Sequence, residues 1–394
     1  MTLDKPYYPN SPIKNIQSLA DFLQVNEAVI KKIAANPAAY YNSFPLESER
    51  PDGTKKIRNI SDPKPDLKLI QRRLVDRLFS KVEFPLYLTG GIRDDSNPRD
   101  YVLNAAMHCG AYVVISNDIK NFFPSVRKKL ILEIFKHFFH FPSDVSELLA
   151  QLVTLDNYLP QGAPTSSYLA NLVFFDIEYQ LVSYFRSREL IYSRLIDDIV
   201  VSSKKRISKE QIEDVITRLS RMVRGKGCKL HAKKKTIVSR STASELMYIT
   251  GLWINNGSPR VGVNERKIIR ALVSNCEHGY KVDPTSNAYH AEYNSVSGKV
   301  AKLTRLGHVE ADSMRATLSK RLPLLSESDE KKLVREVKRV SKYLQSHSLT
   351  AGARHRLDKI NYKLTILARS NRIVAGRLRA DIRRAVSIAK AGAK

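Results

Sequence analysis

Apolar residues recur at helical spacing between Ser18 and Ala35, where Leu19, Phe22, Leu23, Val29, Ile30 and Ile33 share a face, predicting a small helical entry. The pattern then shortens. A Pro51-Asp52-Gly53-Thr54 turn is expected to join two short strands, the second ending near Asn59. Leu67 to Phe79 returns to the helical period as a basic amphipathic helix. The β-branched run Tyr112-Val113-Val114-Ile115 reads as a buried strand ending at Asp118. A second such run, Leu195-Ile196-Asp197-Asp198-Ile199-Val200-Val201, is broken by two adjacent aspartates, which places them at a tight bend or strand tip. Between the two runs, Leu159 to Ser167 reads as a small-residue loop opening onto an apolar helix from Tyr168 to Ile177. Gly225 to Arg240 and Tyr248 to Val263 add strands, with a hairpin marked by Asn255-Asn256-Gly257-Ser258. The strand-helix-helix-strand order from Asp118 to Val201 predicts an antiparallel sheet backed by helices, an α+β fold.

Beyond about Glu265 the chain turns helical and basic. Asn264 to Val273 opens this region, and Ser326 to Tyr343 mixes charge signs as an ordinary surface helix does. From Ala353 to Lys394, apolar Leu357, Ile360, Leu364, Leu367 and Ile373 interleave with Arg354, Arg356, Lys359, Lys363, Arg369, Arg372, Arg377, Arg379, Arg383 and Arg384. One face can pack while the other meets phosphates, each neutralised phosphate adding to the salt dependence of binding. The plainer alternative is a solvated helix whose charges keep it soluble.

Charge sharpens this picture. Sixty-six Lys and Arg against thirty-nine Asp and Glu leave a formal charge of +27 in 394 residues, the electrostatic footprint of a polyanion partner. A membrane surface is the competing polyanion, but no apolar run approaches the roughly 18 residues of a spanning helix. The first residues lack the apolar core of a secretory signal. Cys109, Cys228 and Cys276 show no paired spacing, so neither a disulfide framework nor a zinc site is expected, and a reducing cytoplasm fits. No Gly-rich Lys-Ser/Thr loop and no His-Glu-x-x-His motif occurs, so an ATPase or a zinc hydrolase lacks its parts.

The candidate chemistry lies in the carboxylates. Two unit charges about 4 Å apart repel by roughly 4 kcal/mol at an effective dielectric near 20. A chain tolerates Asp197 beside Asp198 if a cation sits between them, or if one is protonated or turned away. Hard oxygen ligands select Mg²⁺, which binds one or two protein carboxylates plus substrate phosphates. With Asp118 on a second strand, the set suits a two-metal clamp on an in-line phosphoryl displacement. The alternatives are a solvated turn for the pair and a turn cap before Pro124 for Asp118. Gly162 permits close backbone approach, while the loop taken alone is only a well-made helix start.

In order, Asp118-Ile119-Lys120-Asn121-Phe122-Phe123, Pro160-Gln161-Gly162-Ala163-Pro164-Thr165-Ser166 and Asp197-Asp198 resemble the successive palm motifs of reverse transcriptases. Within that superfamily the chain most resembles the bacterial retron enzymes. Asn104-Ala105-Ala106-Met107-His108 matches their Asn-Ala-x-x-His element, and Ile249-Thr250-Gly251 resembles their Val-Thr-Gly element. The similarity spans roughly Ser18 to Leu272. It implies a right-hand polymerase: N-terminal helices and fingers over 1–110, palm over 111–263, and a basic helical thumb with C-terminal extension over 264–394.

The resemblance also implies roles. Asp118, Asp197 and Asp198 would hold two Mg²⁺ ions, with the Ile119 carbonyl as an extra oxygen. Phe123 would lie beneath the incoming sugar and favour deoxynucleotides. One of Phe122 and Phe123 is expected in the core, since neighbours on a strand point to opposite faces. Gln161 and Gly162 would line the nucleotide pocket, and Arg58 would reach the triphosphate with Lys55 and Arg72 assisting. Lys235 occupies the place of a lysine near the triphosphate, although Lys233 and Lys234 blur the choice. Asn104, His108, Ile249, Thr250 and Gly251 would help select the RNA, and Arg377, Arg383 and Arg384 would meet its phosphates.

Three departures stand out. Leu195 replaces the usual Tyr before the aspartates, so the grip on the primer terminus is in question. Ser167 replaces Pro after the Thr-Ser, and Ile249 replaces Val. None removes a metal ligand. The implied reaction is RNA-directed DNA synthesis from dNTPs on a dedicated structured non-coding RNA, primed by a 2′-hydroxyl of that RNA and yielding cDNA joined to it. The setting would be antiphage defence beside a separate effector protein. The alternatives are a defence reverse transcriptase of the abortive-infection or unclassified groups, and a non-catalytic RNA-binding scaffold.

Overall fold

The computed structural model describes residues 4–49, 55–240, 246–347 and 349–391. The expected Pro51–Thr54 turn lies outside them. Two compact units form, residues 1–260 and 261–394.

The first unit opens with α1 (Ile16–Leu23) and α2 (Glu27–Ala35), each started by an Asn side chain that accepts a main-chain N–H. The helical entry read from the periodicity is therefore two helices, parted at Gln24, which takes a left-handed backbone at φ 51°. Strands β1 (Tyr41–Glu49) and β2 (Lys55–Pro63) form an antiparallel ribbon, followed by α3 (Pro65–Arg77) and α4 (Tyr101–Met107). Next come β3 (Val113–Asp118), the short α5 (Phe122–Ser125), α6 (Lys128–Glu133), α7 (Ser143–Val153), α8 (Ser166–Leu172) and α9 (Glu178–Arg186). Strands β4 (Leu190–Leu195) and β5 (Asp198–Ser203) make a tight hairpin, then α10 (Lys209–Gly225) leads to β6 (Thr236–Ser239).

The sheet runs β4-β5-β3-β6 with every pair antiparallel. β3 is a central strand, so Val113, Val114 and Ile115 are all buried and the sequence shows an apolar run instead of alternation. α10 has a capping box between Ser208 and Gln211 and buries Val215, Leu219, Met222 and Val223 in the same core as β3 to β5, α1 to α3 and α5 to α9. β7 (Tyr248–Ile249) and β8 (Leu252–Trp253) turn through Thr250 and Gly251, both at positive φ, the signature of a two-residue type I′ hairpin. The Asn255–Ser258 turn lies one bridge further on, where Trp253 and Arg260 exchange main-chain hydrogen bonds.

The second unit contains α11 (Val263–Val282), α12 (Asn287–Arg305), α13 (Ala311–Ser319), α14 (Glu327–Ser346), α15 (Ala351–Ser370) and α16 (Arg372–Ala391). α14 is more than the surface helix its mixed charge suggested. Leu333, Val337, Val340 and Leu344 are buried in one core with Leu357, Ile360 and Leu364 of α15 and Leu378 and Ile382 of α16. Among the described residues, no helix is long and apolar enough to cross a membrane.

Candidate active site

The β4–β5 hairpin delivers two of the carboxylates. Leu195 and Asp198 are cross-strand partners, so Ile196 and Asp197 alone make the turn. Ile196 takes φ 60°, a region that β-branched residues enter only under constraint and at a strain of roughly 1–3 kcal/mol. Gly90 and Gly91 supply part of that constraint. A Cβ on Gly90 would lie 2.6 Å from Leu195 Cδ1, and one on Gly91 would lie 2.8 Å from Ile196 Cδ1, so the glycines let another segment lie directly on the turn.

The third carboxylate comes from the neighbouring strand. Asp118 ends β3 as the cross-strand partner of Asp198, a pairing that sets Cα atoms about 4.5–5.5 Å apart. The Ile119 N–H donates to the Asp197 carbonyl at 2.9 Å, tying the end of β3 to the turn. Ile119 and Asp197 both line an open cleft of about 860 Å³, together with Asp118, Phe123, Gln161, Lys56, Arg58, His231 and Lys234.

The electrostatics show the strain of this gathering. Burial, then Asp197 and Asp118, push the Asp198 carboxyl up to about 6, against the pull of Lys234 and Lys56. Asp197 is also raised, first by burial and then by Asp118. Lys56 is lowered by burial and by the like charges of Arg58 and Lys234. Lys234 Nζ meets Asp118 Oδ2 at 2.5 Å. The donors are hard oxygens, which fits a divalent ion bound also by phosphate. Among the described residues, no group of three acidic, His or Cys side chains is placed to hold an ion unaided, and Asp118 is paired with the Lys234 ammonium.

Several expected residues fall elsewhere. Phe122 and Phe123 lie on the short helix α5 and not on a strand, yet their fates still diverge: Phe122 is 2% exposed and stacks on Phe174 at 5.9 Å, while Phe123 is half-buried at the cleft. Gly162 seats the β1–β2 ribbon. It sits at φ 114°, an added Cβ would come 2.9 Å from Ile60 Cγ2, and its neighbour Gln161 accepts the Ser61 N–H at 2.8 Å. Arg72 is exposed on α3 away from the cleft, and Lys55 turns aside to Glu47 at 3.1 Å. Lys56 takes its place because it shares a strand face with Arg58. Lys234 lines the cleft in place of Lys235, since the three lysines fall on and just after a short 3-10 turn over Ala232–Lys234.

Asn104 and His108, expected to contact RNA, have wholly buried side chains. His108 bridges Ser202 Oγ and Ser193 Oγ, both at 2.7 Å. Ser193 Oγ donates to Asn104 Oδ1 at 2.7 Å, and Thr89 Oγ1 does so at 3.0 Å. The motif therefore clamps α4 to β4 and β5 from within. Burial lowers the His108 imidazole to about 3, keeping it neutral. Ile249 is buried as well, whereas Gly251 is exposed and Thr250 Oγ1 donates to the Tyr101 carbonyl at 3.1 Å. The two elements, distant in sequence, thus join at the start of α4. Arg377, Arg383 and Arg384 are exposed on α16, and Arg383 shares a groove with Arg354 and Arg379.

A paired-strand carboxylate site facing basic residues across an open cleft is an arrangement that suits nucleotidyl transfer. The sequence profile of the family described as "Reverse transcriptase (RNA-dependent DNA polymerase)" matches residues 48–272, and the chain belongs to that family. It is an RNA-directed DNA polymerase that works on an RNA template, and enzymes of this class use divalent metal ions. Its relatives narrow the type. The chain is 36% identical over 375 residues to the Retron Se72 reverse transcriptase of Salmonella heidelberg (strain 579083-10), covering 95% of this chain and 96% of that protein. It is 32% identical over 377 residues to the Retron Ec48 reverse transcriptase of Escherichia coli, covering 93% and 91%. The enzyme is accordingly of the retron type, which sets aside the abortive-infection alternative.

Proposed function

We propose that this reverse transcriptase extends a hydroxyl of a dedicated structured non-coding RNA with dNTPs, and that Asp118, Asp197 and Asp198 hold two Mg²⁺ ions for the reaction. The observation that carries the reading is the cross-strand pairing of Asp118 with Asp198, with Asp197 in the adjoining turn. The primer oxygen forms a bond to the α-phosphorus of the dNTP while the bond to the leaving pyrophosphate breaks. When bound, the ions activate the attacking hydroxyl and neutralise charge on the leaving oxygens. The chain's own part is to aim and balance charge. Arg58, Lys56 and Lys234 face the cleft and supply cations for the triphosphate. Phe123 offers an aromatic edge that excludes a 2′-hydroxyl, and Gln161 borders the nucleotide. The exposed Arg377, Arg383 and Arg384 of α16 meet RNA phosphates. The cDNA remains joined to its RNA primer, and the complex serves antiphage defence beside an effector protein.

The test is to purify the protein from cells carrying its own locus and sequence the nucleic acid that accompanies it. The reading expects single-stranded DNA covalently joined to one structured RNA species. Recovery of RNA without attached DNA would contradict it.

A further inference from the structure

Among the described residues, Arg194 is the largest fully buried side chain, and it is charged. It lies on β4 immediately before Leu195 and the turn. Its guanidinium grips Glu178 of α9 twice, Nε to Oε1 at 2.6 Å and Nη2 to Oε2 at 2.7 Å. Its nitrogens also reach the main-chain carbonyls of Ile196 at 3.0 Å, Asn171 at 3.1 Å and Ala170 at 3.4 Å. The Tyr192 hydroxyl donates to Glu178 at 2.6 Å, completing the acceptor side.

Stability gives little reason for such a pair, since replacing a buried ion pair by apolar groups of similar volume is often neutral or favourable. The bond with a particular consequence is the one to Ile196. That residue holds the strained φ of the turn, and Asp197 follows it directly. Gly90 and Gly91 press on the turn from another side. A strained turn persists only where its surroundings over-determine it.

We infer that Arg194, anchored by Glu178, is a positioning residue: by fixing the Ile196 carbonyl it keeps the turn in the form that presents Asp197 and Asp198 to a divalent ion. This rests on the metal-holding role proposed for those carboxylates. Groups that orient metal ligands from behind typically change metal affinity about 10–100-fold when removed.

The test uses the full chain with Arg194→Met and Glu178→Met together, so that no buried charge is left alone. Mg²⁺ affinity is read by calorimetry, folding by circular dichroism, and dNTP incorporation as separate kcat and KM. The expected result is a folded protein with Mg²⁺ affinity at least about tenfold weaker, and with kcat lowered while KM for dNTP is little changed. Arg194→Lys keeps a cation beside Glu178 but lacks the planar fork. It should weaken Mg²⁺ binding in the same direction, and it decides the question if the double variant does not fold. Wild-type Mg²⁺ affinity in either folded variant overturns the inference. A wild-type enzyme that neither binds Mg²⁺ nor incorporates dNTP overturns the carboxylate reading instead, so the two failures are distinct.

Discussion

Replacing His108 with Gln separates a buried brace from an RNA contact. The imidazole ties Ser193 on β4 to Ser202 on β5; a glutamine amide can stand in for Nε2 towards Ser193 but has no atom at the Nδ1 position that meets Ser202. Leaving one buried hydroxyl without its partner costs about 1–3 kcal/mol near neutral pH. The pH dependence carries the sharper signature. His108 is held down to about 3 in the folded protein against an ordinary value of 6.5. Its contribution is therefore complete above 6.5 and is lost as pH falls towards 3, because the unfolded chain takes up a proton that the folded chain refuses. Between pH 7.5 and pH 5 this removes about 2 kcal/mol from the wild type and nothing from the variant. The stability gap between them should narrow by that amount. The single tryptophan, Trp253, lies on β8, which packs against α4, so its fluorescence in urea titrations follows the right unit. A gap that stays constant with pH refutes the buried, neutral histidine. So does a variant of unchanged stability that binds RNA more weakly.

Five further substitutions probe the cleft and the residues around it. Lys234→Ala should raise KM for dNTP about tenfold, the effect of losing one charge-assisted contact of roughly 1.4 kcal/mol, whereas steady-state kinetics of Lys235→Ala should stay near wild type. Gly162→Ala adds a Cβ 2.9 Å from Ile60 at φ 114°; thermal unfolding should report a loss of about 1–3 kcal/mol, and an unperturbed melting temperature would count against the close approach. Phe122→Ala should cost about 3–5 kcal/mol of stability, while Phe123→Ala should leave stability largely intact and raise ribonucleotide incorporation, measured by competition between rNTP and dNTP.

The carboxylate-bearing strands were legible because two β-branched runs each carried acidic residues that an apolar strand does not ordinarily keep. Their pairing could be guessed, but not the register that sets Asp118 opposite Asp198, because β3 and β5 are far apart in the chain and no turn joins them. Side-chain direction was the weaker inference. Lys55 is expected to assist Arg58, although the two-residue period of β2 puts Lys56 on the Arg58 face, a signal present in the sequence. The choice among Lys233, Lys234 and Lys235 had no such signal, because a short 3-10 turn sets it. Asn104 and His108 matched a motif, and a motif gives presence without orientation; only the serines at 193 and 202, far away in the chain, turn them inward. α14 hid its core behind mixed charge, although Leu333, Val337, Val340 and Leu344 keep the helical period. Nothing in the sequence marks Arg194, because a lone arginine is ordinarily solvent-facing and its partner Glu178 sits sixteen residues earlier.

The most direct measurement is dNTP incorporation by an Asp197→Asn variant on the RNA that accompanies the wild-type protein, with RNA affinity measured in parallel. Loss of Mg²⁺-dependent synthesis at unaltered RNA binding is the predicted result. Synthesis at the wild-type rate would remove the carboxylates from the chemistry and contradict the account.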